Sequence, residues 1–162
     1  MQKITPFFWF DGQAEQAVKF YTSIFKNSRI GKISRYDDAA AKASSQPTGS
    51  VMTVAFKLNG QDFIALNGGP HFKFTEAISL VVNCDTQAEL DRYWKKLTSG
   101  DGKEVQCGWL KDKYGLSWQI IPTILGQLAS DKDPAKANRV MQVVMTSVKL
   151  DIKKLKQAAK GK

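Results

Sequence analysis

The pentapeptide Asp11-Gly12-Gln13-Ala14-Glu15 returns 74 residues later as Asp85-Thr86-Gln87-Ala88-Glu89. Each copy follows an apolar run and opens a stretch with apolar residues at helical spacing. An aromatic pair stands downstream in both, Phe20-Tyr21 and Tyr93-Trp94. Helix starts favour acidic residues on their own account, because the helix dipole is positive there. Agreement in letters and in element order together is better explained by duplication. A chain of 162 residues has room for one core, or for two repeated halves sharing one.

The first half reads as follows. Ile4–Phe10 is an apolar and aromatic strand ended by Asp11-Gly12, and Ala14, Ala17, Val18, Tyr21, Ile24 and Phe25 predict a helix over 13–26. Ser28–Tyr36 reads as a strand, and the Ala-, Ser- and Asp-rich stretch Asp37–Ser50 as a mobile loop. Val51–Leu58 and Gln61–Leu66 flank Asn59-Gly60, a strong hairpin signal because both turn positions take positive φ. The second half repeats the order. Ala77–Cys84 is a strand, Asp85 or Thr86 caps a helix to about Leu97, and Glu104–Lys111 and Leu116–Pro122 are strands around a turn at 112–115. The pattern is β-α-β-β-β twice, over 3–69 and 76–122. Helical segments at 123–129 and 134–146 then form an extension reaching residue 160, whose apolar stripe Val140, Val143, Val144 and Val148 must pack on something.

Composition narrows the class. Apolar residues make up 43% and charged residues 24%, which excludes wholesale disorder and collagen. No apolar run approaches the length that spans a bilayer, and the N-terminus shows no signal peptide, so a cytoplasmic protein is expected. Two cysteines, Cys84 and Cys107, make no disulfide framework. The net charge of +9 is concentrated at the end, where residues from Ser147 on carry six lysines against one aspartate. A solvated helix explains that stripe. With no zinc finger or RNA-binding aromatic motif beside it, nucleic acid is not an expected partner.

Tandem β-α-β-β-β units are the architecture of the vicinal-oxygen-chelate superfamily of glyoxalases, extradiol dioxygenases and bleomycin-resistance proteins. The segments at 4–25 (ITPFFWFDGQAEQAVKFYTSIF), 63–79 (FIALNGGPHFKFTEAIS) and 107–123 (CGWLKDKYGLSWQIIPT) resemble its PhnB-like branch. Members of that branch are often labelled 3-demethylubiquinone-9 3-methyltransferase. The resemblance implies an α+β fold in which two modules form a cupped mixed sheet, and it implies a homodimer. The methyltransferase label finds no G-x-G-x-x-G turn here and no repeated strand-helix alternation to hold a nucleotide-type methyl donor.

Metal-using members of the superfamily place four ligands, typically His and Glu, on the first and last strands of each module. Carried onto this chain, those positions fall near Pro6, near Ala65, at Ile78 or Ser79, and at Gln119, where the turn DKYGLSWQ resembles the family's Asp-x-x-Gly-x-x-x-Glu. A neutral amide replaces the glutamate. The single histidine, His71, cannot rebuild a two-histidine site, so no metal and no other cofactor is expected. The expected function is therefore metal-independent binding of a small molecule. Its cup would be formed by Trp9, Asn67, Trp109 and Gln119, with Ser117, Gln119 and Ile121 on one face of their strand and Trp118 and Ile120 on the other. The alternative is an enzyme of the same superfamily, a lyase, a dioxygenase or the labelled methyltransferase, acting on a small oxygenated metabolite, with His71 as a base or Cys107 as a reactive thiol, or with a metal shared across a dimer. For both residues the plainer reading is structural: a hydrogen-bonded loop imidazole and an inert thiol. Edge strands and the apolar stripe at 140–148 add to the expectation of a homodimer.

Overall fold

Pro6 has no amide proton for a strand ladder, and the first strand, β1 (Phe7–Phe10), starts immediately after it. The Pro6 carbonyl still accepts from the Ile64 amide at 3.0 Å, which sets the pairing. Helix α1 (Ala14–Ile24) follows, then β2 (Arg29–Arg35), α2 (Asp38–Ser44), and the hairpin β3 (Val51–Leu58) and β4 (Gln61–Asn67). The hairpin turns at Asn59 and Gly60, with φ of 47° and 84°, as the dipeptide demands. In the computed structural model, which describes residues 2–161, the chain divides into two units with the boundary between Lys73 and Phe74.

The sheet of the first unit has the order β1-β4-β3-β2. β1 runs parallel to β4, and the other pairs are antiparallel. Register puts Phe8 beside Ala65 and Phe10 beside Asn67 on the face covered by α1. Phe8, Phe56 and Phe63 form an aromatic cluster there, with ring centroids 5.4–6.3 Å apart. Ala14, Ala17, Val18, Tyr21 and Ile24 of α1 close over the face. Each buried aromatic of this kind contributes about 1.5–3 kcal/mol relative to exposure.

The second unit repeats the plan. It consists of β5 (Ser79–Cys84), α3 (Gln87–Leu97), β6 (Lys103–Glu104), β7 (Trp109–Lys111) and β8 (Ser117–Pro122), in the sheet order β5-β8-β7-β6. β5 and β8 are again parallel. The correspondence reaches single bonds. The Gly68 amide donates to Phe10 O at 3.0 Å, and the Thr123 amide donates to Cys84 O at 2.9 Å, each just past the last strand of its sheet. Leu90, Tyr93, Trp94 and Leu97 of α3 are buried, as is Trp118 on the face below them.

Two sequence expectations are corrected and a third is given its partner. The stretch 37–50 is not loop throughout: Asp37 accepts from the Ala40 amide and starts α2, whose alanines are strong helix formers. The strand expected over Glu104–Lys111 is split into β6 and β7, because Cys107 and Gly108 take φ of 62° and 82° and turn the chain. Cys107 thus lies in a turn and not in a strand. Finally, the stripe Val140–Val148 belongs to a helical cluster: α4 (Ile124–Ala129), α5 (Pro134–Thr146) and α6 (Ile152–Ala159) pack on one another. Val140 and Val144 are buried, while Met145 and Val148 stay exposed.

The turn between β7 and β8 is organised by one carboxylate. Asp112 is buried; its Oδ1 accepts from the amides of Tyr114 and Leu116 at 2.8 and 3.2 Å, and its Oδ2 from Trp118 Nε1 at 2.8 Å. Asp112→Ala strands those donors in the interior and is expected to lower the unfolding free energy by roughly 3 kcal/mol. Urea unfolding followed by tryptophan fluorescence measures this. A loss below about 1 kcal/mol, no more than an ordinary hydrogen bond contributes, would show that the turn stands without the carboxylate.

Candidate functional site

Each sheet packs one face under its own helix, α1 or α3, and among the described residues no helix packs on the other face. On the first sheet the uncovered face carries Phe7 and Trp9 of β1 beside Ile64 and Leu66 of β4. Phe7 is 55% exposed. Trp9 is half-buried and turned onto the loop after β4, where its Nε1 donates to Gly69 O at 2.8 Å and Phe72 meets its ring edge-on at 4.9 Å. A Cβ at Gly68 would stand 2.2 Å from the Trp9 ring, so only glycine fits beneath the indole.

Asn67 is on the opposite face from Trp9. The register pairs it with Phe10, and its side chain is used inside the fold. Its Oδ1 accepts from the Ala14 amide at 2.8 Å and its Nδ2 donates to Val51 O at 3.0 Å. Its own carbonyl accepts from the Tyr36 hydroxyl at 2.7 Å. Asn67 therefore caps α1 from across the sheet, supplying what Gln13 at the helix start does not. It also borders a cleft of about 490 Å³ with Gln16, Lys19, Gln46 and Ser50, on the helix side. The expected grouping of Trp9 with Asn67 in one cup is not what the first unit shows.

The uncovered face of the second sheet is different in chemistry. Gln119 lies on β8, flanked in register by Val81 of β5 and Trp109 of β7. Ser117 and Ile121 share its face, and Trp118 and Ile120 take the covered one, as the alternation predicts. Gln119 Nε2 donates to Ser79 Oγ at 2.9 Å. Among the described residues its Oε1 has no donor, and Trp109 Nε1 has no acceptor. A free acceptor and a free donor thus stand on adjacent strands, about 5 Å apart at their Cβ atoms. Ser117 Oγ is buried with no partner among the described residues. Sequence reading placed Ser117 on this face without counting it as a site residue; its signal is a hydroxyl two positions before Gln119 on an otherwise apolar and aromatic strand. Lys111, opposite Ser117, is paired with Glu76, and the ammonium holds the Glu76 carboxyl below its ordinary range.

The two candidate reactive groups stand in different units. His71 is exposed in the loop after Gly68-Gly69-Pro70 of the first. Cys107 belongs to the second: its amide donates to Ser147 O at 2.7 Å and its Sγ is 3.9 Å from Met145 Sδ. A thiol is activated by a neighbouring cation, and Lys111, close to Cys107 in sequence, is engaged with Glu76.

The donor set does not suit the divalent metal that the superfamily often carries. Ala65 faces α1, Ile78 is apolar, and Ser79 and Gln119 offer only neutral oxygens, the Ser79 hydroxyl already accepting from Gln119 Nε2. Among the described residues no three His, Cys, Asp or Glu side chains converge. A catalytic metal usually needs three protein ligands.

A family profile described as 3-demethylubiquinone-9 3-methyltransferase matches residues 2–121. Among solved structures the chain is similar to the PhnB protein from Bacillus cereus, at 41% identity over 75% of this chain and 100% of that one, with a TM-score of 0.66. It is similar in fold to a protein from Pseudomonas aeruginosa, at 18% identity over 73% of this chain and 95% of that one, with a TM-score of 0.57. A glyoxylase/bleomycin resistance protein/dioxygenase domain from Frankia matches at 14% identity over 73% of this chain and 94% of that one, with a TM-score of 0.46. No curated protein matches the chain. Among the described residues no helix is long and apolar enough to cross a membrane.

The two thiols differ sharply in setting. Burial, helped by the charges of Glu89 and Asp85, pushes the Cys84 thiol from an ordinary value near 9.0 up to about 12. A chromogenic disulfide reagent at pH 8 is expected to titrate Cys107 in the folded chain and both thiols after unfolding. Two fast-reacting thiols in the folded chain would contradict the burial of Cys84. Because the folded value is the higher one, the thiol's contribution to stability is complete below pH 9 and is lost as pH rises from about 9 to 12. Urea midpoints of the wild type are expected to fall through that window more steeply than those of Cys84→Ala. Parallel pH profiles would refute it.

Proposed function

The chain belongs to the family described as 3-demethylubiquinone-9 3-methyltransferase, the PhnB-like branch of the vicinal-oxygen-chelate superfamily, and from that membership we propose that it is a metal-independent small-molecule-binding protein. The observation that carries this reading is the uncovered face of the second sheet. There Trp109 and Gln119 are register partners on adjacent strands, and among the described residues the indole N–H of the one and the amide oxygen of the other are unpaired, where a metal-using relative would present a carboxylate. Neutral donor and acceptor groups select a ligand by hydrogen bonding and stacking, and Trp109 supplies a flat apolar wall for a planar, oxygen-bearing molecule.

The family's descriptive name speaks of methyl transfer. Nucleotide-type methyl donors are usually held at the switch point of a doubly wound parallel sheet. Each sheet here has one parallel pair and two antiparallel ones, so the fold lends that name no support. We include self-association in the proposal, on the ground that Phe7 and Val81 stand more than half exposed on uncovered sheet faces.

Elemental analysis of tag-free protein, with thermal unfolding in divalent metals and in chelator, tests the metal-free reading. The expected result is substoichiometric metal and an unfolding temperature indifferent to both additions. A stoichiometric metal whose removal lowers that temperature would sink it. In a ligand screen by thermal shift, Trp109→Ala and Gln119→Ala are each expected to weaken a bound hit about tenfold, equivalent to about 1.4 kcal/mol. Hits that bind both variants unchanged would move the site elsewhere.

A further inference from the structure

Helix α6 turns Leu155, Ala158 and Ala159 inward and leaves Lys153, Lys156 and Lys160 exposed. These lysines stand at i, i+3 and i+7, so they form one stripe. The stripe is one wall of a groove of about 700 Å³, and the start of α3, Asp85 to Gln87, is another. Gln87 braces the two walls: its Nε2 donates to Leu150 O at 3.3 Å and its Oε1 accepts from the Ile152 amide at 2.9 Å. The groove is therefore a built feature, and its size is that of a small-molecule site.

Its charge is unbalanced along its length. Nearby Lys149 is tied to Asp91 at 2.6 Å, but Lys153, Lys156 and Lys160 form no ion pair among the described residues. The two acids that line the groove, Asp85 and Asp151, sit at the heads of α3 and α6. The carboxylate of Asp151 is spent on the Lys154 amide at 3.0 Å, and both acids meet the positive end of a helix. Lys156 and the cap residue Lys160 lie roughly 7 and 13 Å from Asp151 along the axis of α6. Like charges at this spacing repel, and a multivalent anion between them relieves the repulsion. No aromatic side chain lines the groove, so it offers no platform for the stacked bases of a nucleic acid strand. Helix α6, which carries the lysines, lies outside residues 2–121, the part the family profile matches, while the opposite wall at Asp85 to Gln87 lies within it.

We propose that this groove binds a small phosphate-bearing anion, with Lys156 and Lys160 as its principal charge partners and Lys153 as a third. Isothermal titration of the full chain with sodium tripolyphosphate at low ionic strength tests this. One saturable site per chain is expected, about tenfold weaker in the K156Q/K160Q double variant and within about twofold of wild type in K26Q/K32Q, which removes the same charge from exposed lysines of the first unit. Tripolyphosphate is also expected to raise the unfolding temperature of the wild type but not of K156Q/K160Q, and the variant's own melt in its absence reports that it folds. Absence of saturable binding overturns the proposal. So does equal weakening in both double variants, which would signify general charge attraction, and so does binding of a single-stranded oligonucleotide but not of tripolyphosphate.

Discussion

The carboxylate of Asp112 determines what the second sheet presents. It gathers two backbone amides of the turn and the indole of Trp118, which pins Trp118 to the face under α3. Strand side chains alternate, so fixing Trp118 on one face fixes Ser117 and Gln119 on the other. A slip of one residue in this turn would exchange the faces, burying an amide and a hydroxyl under the helix and exposing an indole. The position of Gln119 beside Trp109 is thus a consequence of a buried charge six residues upstream of Trp118 in the same hairpin.

Much of the architecture was legible because it rests on local chemistry. The Asn59-Gly60 hairpin, the apolar spacing of α1 and α3, and the repeated strand order each follow from patterns a few residues long. The helix α2 was hidden because its composition, alanine with serine and aspartate, suits a loop as well as a helix; the decision lies with the Asp37 cap. The turn at Cys107 was hidden because a non-glycine residue there takes positive φ, which sequence seldom announces.

The candidate site was legible on one strand and not between strands. Alternation along β8 correctly separates Gln119 from Trp118, since both belong to one run of residues. The relation of Trp9 to Asn67 depends instead on how β1 registers against β4, a pairing across 57 positions. No periodicity within either strand sets that register, so Asn67 could be assigned to a binding face while its amide in fact caps a helix. The contrast in chemistry is instructive too. The face of β8 that carries Ser117 and Gln119 bears a hydroxyl and an amide, groups that bond by direction and not by charge.

The two halves begin their helices by different means. Helix α3 seals itself within five residues, Thr86 accepting from the Glu89 amide and Glu89 reaching back to the Asp85 amide. Helix α1 waits for Asn67, 53 positions later. During synthesis the N-terminal half leaves the ribosome first, yet the Asn67 side chain that caps its helix is among the last parts of that half to emerge. The half made second carries a helix able to nucleate as soon as it appears. The two units share a strand order but not a way of starting their helices, the end of the chain made first resting on a distant side chain and the end made later on its nearest neighbours.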